Sequence, residues 1–261
     1  MLIEDLLTTQ PHLTSSIAFD EGYYRFLKEA VVVLNQNIYD YIKKSVAGTR
    51  IDKKHIPNVM PPFDVMWFES NRTGVSLITI REDDGSVKCI AHMFLKDKEK
   101  GSEVGFYGRA RWSSDKNGEC SEMFEFAPSV GVLDEQSLSI TASYFTFPVW
   151  MTLSFMHCKN VSMKTEFDPS VALNKKRSER NLPPLLKKYT LEIEPMKKII
   201  RETPKDGMTD IHHALHICRG HFKNFSEKPL FGKHKGTYWW PMQTRGSKEY
   251  GEIKKDYEVK I

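Results

Sequence analysis

Apolar positions between residues 20 and 47 recur at spacings of three and four. Tyr23, Phe26, Leu27, Ala30, Val33, Leu34, Ile38 and Tyr41 form one stripe, which predicts a single amphipathic helix. Lys43 and Lys44 in its last turn, and Gly48 beyond, suit a helix C-terminus. Pro57, Pro61 and Pro62 then break the chain, dividing a helical region (1–56) from the remainder (57–261). Beyond Phe63 the period changes to two. Segments 64–70, 74–82, 86–96 and 103–112 read as strands of an antiparallel meander. Asp83-Asp84-Gly85 and Asn117-Gly118 mark turns. The apolar stretch 134–157 reads as a buried helix interrupted at Pro148. Segment 171–181 reads as a basic helix or loop ended by Pro183-Pro184, and 187–195 as a strand.

Segment 211–225 fits two periods. A helix aligns Ile211, Leu215, Cys218, Phe222 and Phe225; a strand aligns His213, Leu215, Ile217, Arg219, His221 and Lys223. Gly220 disfavours the helix by about 1 kcal/mol relative to Ala, so a strand is expected. Segments 235–241 and 249–261 supply further strands. The expected fold is α+β: an N-terminal helical region, then a mostly antiparallel sheet or partly closed barrel with a buried helix.

A chain of 261 residues, 40% hydrophobic and 28% charged, can bury a real core, and its balance excludes wholesale disorder. No apolar run reaches the roughly 18 residues that a membrane-spanning helix needs, so no membrane partner is expected. The acidic start MLIEDLLTTQ argues against a secretory signal. Cys89, Cys120, Cys158 and Cys218 contain no C-x-x-C pair, which points away from a disulfide framework and towards a reduced compartment.

Charge is more informative. Residues 1–170 carry 18 basic and 23 acidic side chains; the basic part, 171–261, carries 20 and 11. Such asymmetry suggests a polyanionic partner, or lysines that only solvate the segment. Five of the nine histidines stand at 212, 213, 216, 221 and 234, interleaved with Arg219, Lys223, Lys228, Lys233 and Lys235. In the strand register His213, Arg219, His221 and Lys223 share one face. It could hold phosphate oxygens by charge-assisted hydrogen bonds. His213 and His221 could alternatively act as acid and base in RNA cleavage, because an imidazole titrates near working pH. Trp239, beside Lys233 and Arg245, could stack on a base or capture a peptide if exposed. Trp67 and Glu69, on one strand face, form a second candidate contact. Phe231 completes the binding set. LFGKHKG lacks the G-K-[ST] of a phosphate loop, and its glycines suit a tight turn. His212 and His216 lack the Glu of an H-E-x-x-H site. No metal or other cofactor is expected.

Four segments carry a resemblance: MPPFDVMWFES (60–70), NKKRSERNLPPLLKKYTLEIEP (174–195), HICRGHFKNFSEKPLFGKHKGTYWW (216–240) and TRG (244–246). They resemble a family of bacteriophage and mobile-element proteins that includes the type V-A anti-CRISPR inhibitor lowering expression of its Cas nuclease target. The resemblance spans roughly residues 57–261 and implies a phage-borne protein in the host cytoplasm, acting on host defence or gene expression. The expected role is a non-enzymatic binding factor engaging a host or defence-system protein, a ribonucleoprotein, an RNA or a nascent peptide. An RNA-cleaving enzyme and a virion or morphogenesis component are the alternatives.

Overall fold

The computed structural model describes residues 2–9, 21–38, 40, 56–96, 104–128, 135–196, 214–218, 220–241, 243–245 and 247–252. Helix α1 (Leu2–Thr9), helix α2 (Glu21–Leu27) and strand β1 (Val31–Leu34) come first. The meander follows: β2 (Val65–Glu69), β3 (Thr73–Arg81), β4 (Val87–Lys96), β5 (Val104–Ser114) and β6 (Cys120–Pro128). Helix α3 (Glu135–Met156) leads into β7 (Val161–Phe167), helix α4 (Val171–Ser178) and β8 (Lys188–Ile193). These eight strands form one sheet in the order β6-β5-β4-β3-β2-β1-β8-β7. Its pairings are antiparallel except at β1, which runs parallel to both neighbours. The fold is therefore α+β with a mostly antiparallel sheet and a buried helix, as the sequence predicts. The sheet is open, with β6 and β7 at its edges, rather than closed as a barrel.

Each face of the sheet is covered by helices. Phe145, Val149, Trp150, Met151, Leu153 and Phe155 of α3 pack against Val75, Leu77, Ala91, Met93, Ala110 and Trp112. On the other face, Leu2, Ile3, Leu6 and Leu7 of α1 and Tyr23, Tyr24 and Leu27 of α2 cover Val32, Trp67, Phe94 and Phe106. Burial of each such large apolar side chain stabilises the fold by about 1.5–3 kcal/mol. Pro148 lies inside α3, where it removes one helical N–H; Thr152 Oγ1 donates to the Pro148 carbonyl at 2.7 Å.

The reading of 20–47 as one helix is corrected. The helix stops at Leu27, and Val31–Leu34 is a strand between β2 and β8. A run of β-branched residues suits a strand buried on both faces. Val32 faces the core under α1 and α2, whereas Val33 faces the core under α3. The proline segment is hydrogen-bonded to the body. Val59 N–H donates to the Gly118 carbonyl at 2.8 Å, and the Asn58 carbonyl accepts from Ser154 Oγ of α3. The line between 1–56 and 57–261 thus separates β1 from the strands it pairs with.

The C-terminal strands are smaller. β9 (Ala214–Cys218), β12 (Gln243–Arg245) and β13 (Ser247–Glu252) form one sheet, and β10 (His221–Asn224) pairs with β11 (Thr237–Trp240) in another.

Candidate functional site: a basic aromatic hairpin

β10 and β11 form an antiparallel pair in which His221 faces Trp240, Phe222 faces Trp239 and Lys223 faces Tyr238. Alternation then assigns the two faces. Phe222 and Trp239 turn towards α3, with ring centroids 4.7 Å apart, and Trp239 lies 5.0 Å from Phe155. Tyr238 and Trp240 turn the other way and are buried with Met196. Lys223 Nζ stands 4.3 Å from the Trp240 ring centre, a cation–π contact.

Asn160, buried at the turn between α3 and β7, fastens this hairpin to the body. Its Nδ2 donates to the carbonyls of Trp239 (2.8 Å) and Glu194 (3.0 Å), while its Oδ1 accepts from Trp239 N–H at 2.9 Å. One side chain thereby binds backbone groups of two separate segments.

At the other end the chain closes through a tight turn. Leu230 N–H donates to the His234 carbonyl at 3.0 Å, and Lys233 N–H donates to the Leu230 carbonyl at 3.2 Å. The two central residues, Phe231 and Gly232, have φ of +52° and +69°. That pair of positive φ values is the type I′ pattern, for which glycine, asparagine and aspartate are the usual residues. A phenylalanine in the left-handed region costs on the order of 1–3 kcal/mol. The residue is nevertheless 52% exposed and lies outside the packed cores, so core packing does not compensate for the strain. Lys228, Lys233 and Lys235, all exposed, lie within four residues of it along the chain. An exposed ring with lysines close by in sequence can stack on a base while they meet phosphates.

The other expected site residues are dispersed. Phe231 and Lys233 stand at the tip, and His221 and Lys223 at the base of the same hairpin. Trp239 is only 3% exposed and belongs to the main core, so it has no face for a ligand. Trp67 is fully buried on the opposite side of the large sheet. Glu69 beside it is buried and structural. Its Oε1 accepts from Leu2 N–H at 3.0 Å, and its Oε2 from Ile3 N–H at 3.3 Å and Trp67 Nε1–H at 2.9 Å. It caps α1, where a carboxylate also meets the positive end of the helix dipole. The candidate contact at Trp67 and Glu69 is therefore corrected: both side chains are buried within the fold. Arg245 lies in β12, its backbone paired with His216 of β9. His212, His213 and Arg219 lie outside the described residues. The continuous strand expected over 211–225 is interrupted, because β9 and β10 belong to different sheets.

A polar group that sequence reasoning missed lies beneath α2. Tyr23 OH and Ser76 Oγ are 2.7 Å apart, and Ser76 Oγ is 3.5 Å from His92 Nδ1. Burial, reinforced by the nearby charges of Arg109 and Arg111, lowers the His92 pKa from its ordinary value to about 4. Burial likewise pushes the Tyr23 phenol up. Neither signal is local: His92 and Ser76 lie on neighbouring strands, and α2 covers them from 53 residues away in sequence. Burial also pushes the thiols of Cys89 and Cys158 up to about 12, the opposite of an activated nucleophile.

Among the described residues, no helix is long and apolar enough to cross a membrane, and no group of three His, Cys, Asp or Glu side chains is placed to hold a metal ion. No protein-family model matches the chain, and no curated protein or solved structure matches it.

Proposed function

We propose that the chain is a non-enzymatic binding protein of a phage or mobile element that acts in the host cytoplasm by engaging RNA, free or within a ribonucleoprotein, through the tip of the β10–β11 hairpin. The observation that carries this reading is Phe231: an exposed residue in a left-handed backbone conformation, at a turn where glycine would be relaxed, with Lys228, Lys233 and Lys235 exposed close by in sequence. Strain kept at an exposed position points to a contact made outside the fold. The phage setting rests on the resemblance of segments 60–70, 174–195 and 216–240.

The test is fluorescence anisotropy of a labelled single-stranded RNA at low salt with wild type and Phe231→Gly. Stacking of one base contributes about 1–3 kcal/mol, so the variant should bind roughly 5- to 150-fold more weakly. The RNA should be recovered intact. Absence of wild-type binding, or equal binding by Phe231→Gly, would contradict the proposal.

A further inference from the structure

Helix α4 and the loop after it form an arm between β7 and β8. The helix contains no buried residue, so it adds nothing to the core. It is nonetheless firmly held. Ser170 Oγ accepts from Leu173 N–H at 3.2 Å as the N-cap. Asn174 exchanges two hydrogen bonds with the Leu185 backbone, at 3.0 and 2.9 Å, and Arg177 Nε–H donates to the Pro183 carbonyl at 2.8 Å. A largely solvated helix is thus tied to the loop that follows it, which lowers the ordering cost of meeting a partner.

Some cations elsewhere in the chain are neutralised by carboxylates, and others are not. Lys88, Lys96, Lys164, Lys187 and Lys188 each have a carboxylate within 3.5 Å. Among the described residues, no carboxylate pairs with Lys175, Lys176 or Arg180. All three side chains are exposed. Exposed cations without a carboxylate partner suit a polyanion.

We infer that this arm is a second RNA contact, in which Lys175, Lys176 and Arg180 meet backbone phosphates at a place distinct from the hairpin tip. The inference rests on the RNA-binding reading above. Asn160 fastens the hairpin where β7 begins and β8 ends, whereas the arm joins the opposite ends of those strands. Seven residues of extended β7 separate the two by about 20 Å. One RNA strand can therefore be held at both points, with the second contact strengthened by tethering at the first.

The experiment uses the full chain and a labelled single-stranded RNA of about 30 nucleotides, longer than the 4–16 usual for one single-strand site. Anisotropy is recorded over a series of salt concentrations for wild type, for the triple variant Lys175→Ala, Lys176→Ala, Arg180→Ala, and for Phe231→Gly. Each lost phosphate contact removes about 0.7 from the slope of log affinity against log salt. The triple variant should therefore flatten that slope by about two units. Combining it with Phe231→Gly should multiply the two losses, as separated contacts do. Circular dichroism of the triple variant should be unchanged. An unchanged slope in the triple variant overturns the arm as a contact, while a loss in Phe231→Gly still upholds the hairpin. The converse pattern upholds the arm and overturns the hairpin. No RNA binding by wild type overturns both. Wild-type binding to vesicles of anionic lipid that the triple variant loses, with an unchanged RNA slope, would reassign the arm to a lipid surface.

Discussion

Phe231 and His92 show how single side chains give up stability, one at the surface and one inside. Phe231→Gly relaxes the turn, so the variant should be more stable by up to about 1 kcal/mol while binding RNA more weakly. A chemical denaturation curve checks the first half; a destabilised variant would mean that the ring packs on the fold. His92 acts through pH. Its folded pKa of about 4 lies below the ordinary 6.5, so the unfolded chain takes up the proton first as pH falls. Its contribution is therefore complete above about pH 6.5 and declines as pH drops towards 4, by about 3 kcal/mol in total. His92→Gln should flatten that part of the stability–pH curve, as measured by urea denaturation at several pH values. Identical curves for variant and wild type would remove the histidine from the account.

At the scale of elements, Asn160 decides whether the hairpin and the body behave as one unit. Asn160→Ala removes three hydrogen bonds to the backbone of Trp239 and Glu194, and should cost about 2–3 kcal/mol. Hydrogen exchange should accelerate at 221–240, with the centre of the large sheet protected as before. Uniform acceleration across β3, β4 and β5 would show that the hairpin is not an independent unit. Elements with local signals were legible in the sequence. The alternation in β2 to β5, the turn signals at Gly85 and Gly118, and the apolar length of α3 with Pro148 inside all have structural counterparts. β1 was not legible because Val31–Leu34 also fits a helical stripe, and only its placement between β2 and β8 decides the matter. β7 lies at the sheet edge: Val161 and Met163 pack against the core, while Ser162, Lys164 and Glu166 share the opposite face, where charges discourage further pairing.

Across the whole molecule, the proposed reading gives the acidic part most of the sheet core and the basic part the contacts with RNA. The sheet core draws mainly on residues before 171, whereas the exposed cations of α4 and of the hairpin lie after it. That division was visible in the charge count. The identities of the contact residues were visible only in part. Aromatic residues beside charged ones point to Trp67, Trp239 and Phe231 alike, and sequence spacing does not distinguish a buried ring from an exposed one. Tertiary packing makes that distinction: Trp67 and Trp239 complete two separate cores, and Phe231 is left outside both. The most direct measurement is ultraviolet cross-linking of the full chain to RNA, followed by mass-spectrometric identification of the modified residue. The account predicts a cross-link at Phe231. Cross-links confined to other parts of the chain, or none from an RNA that binds, would contradict it.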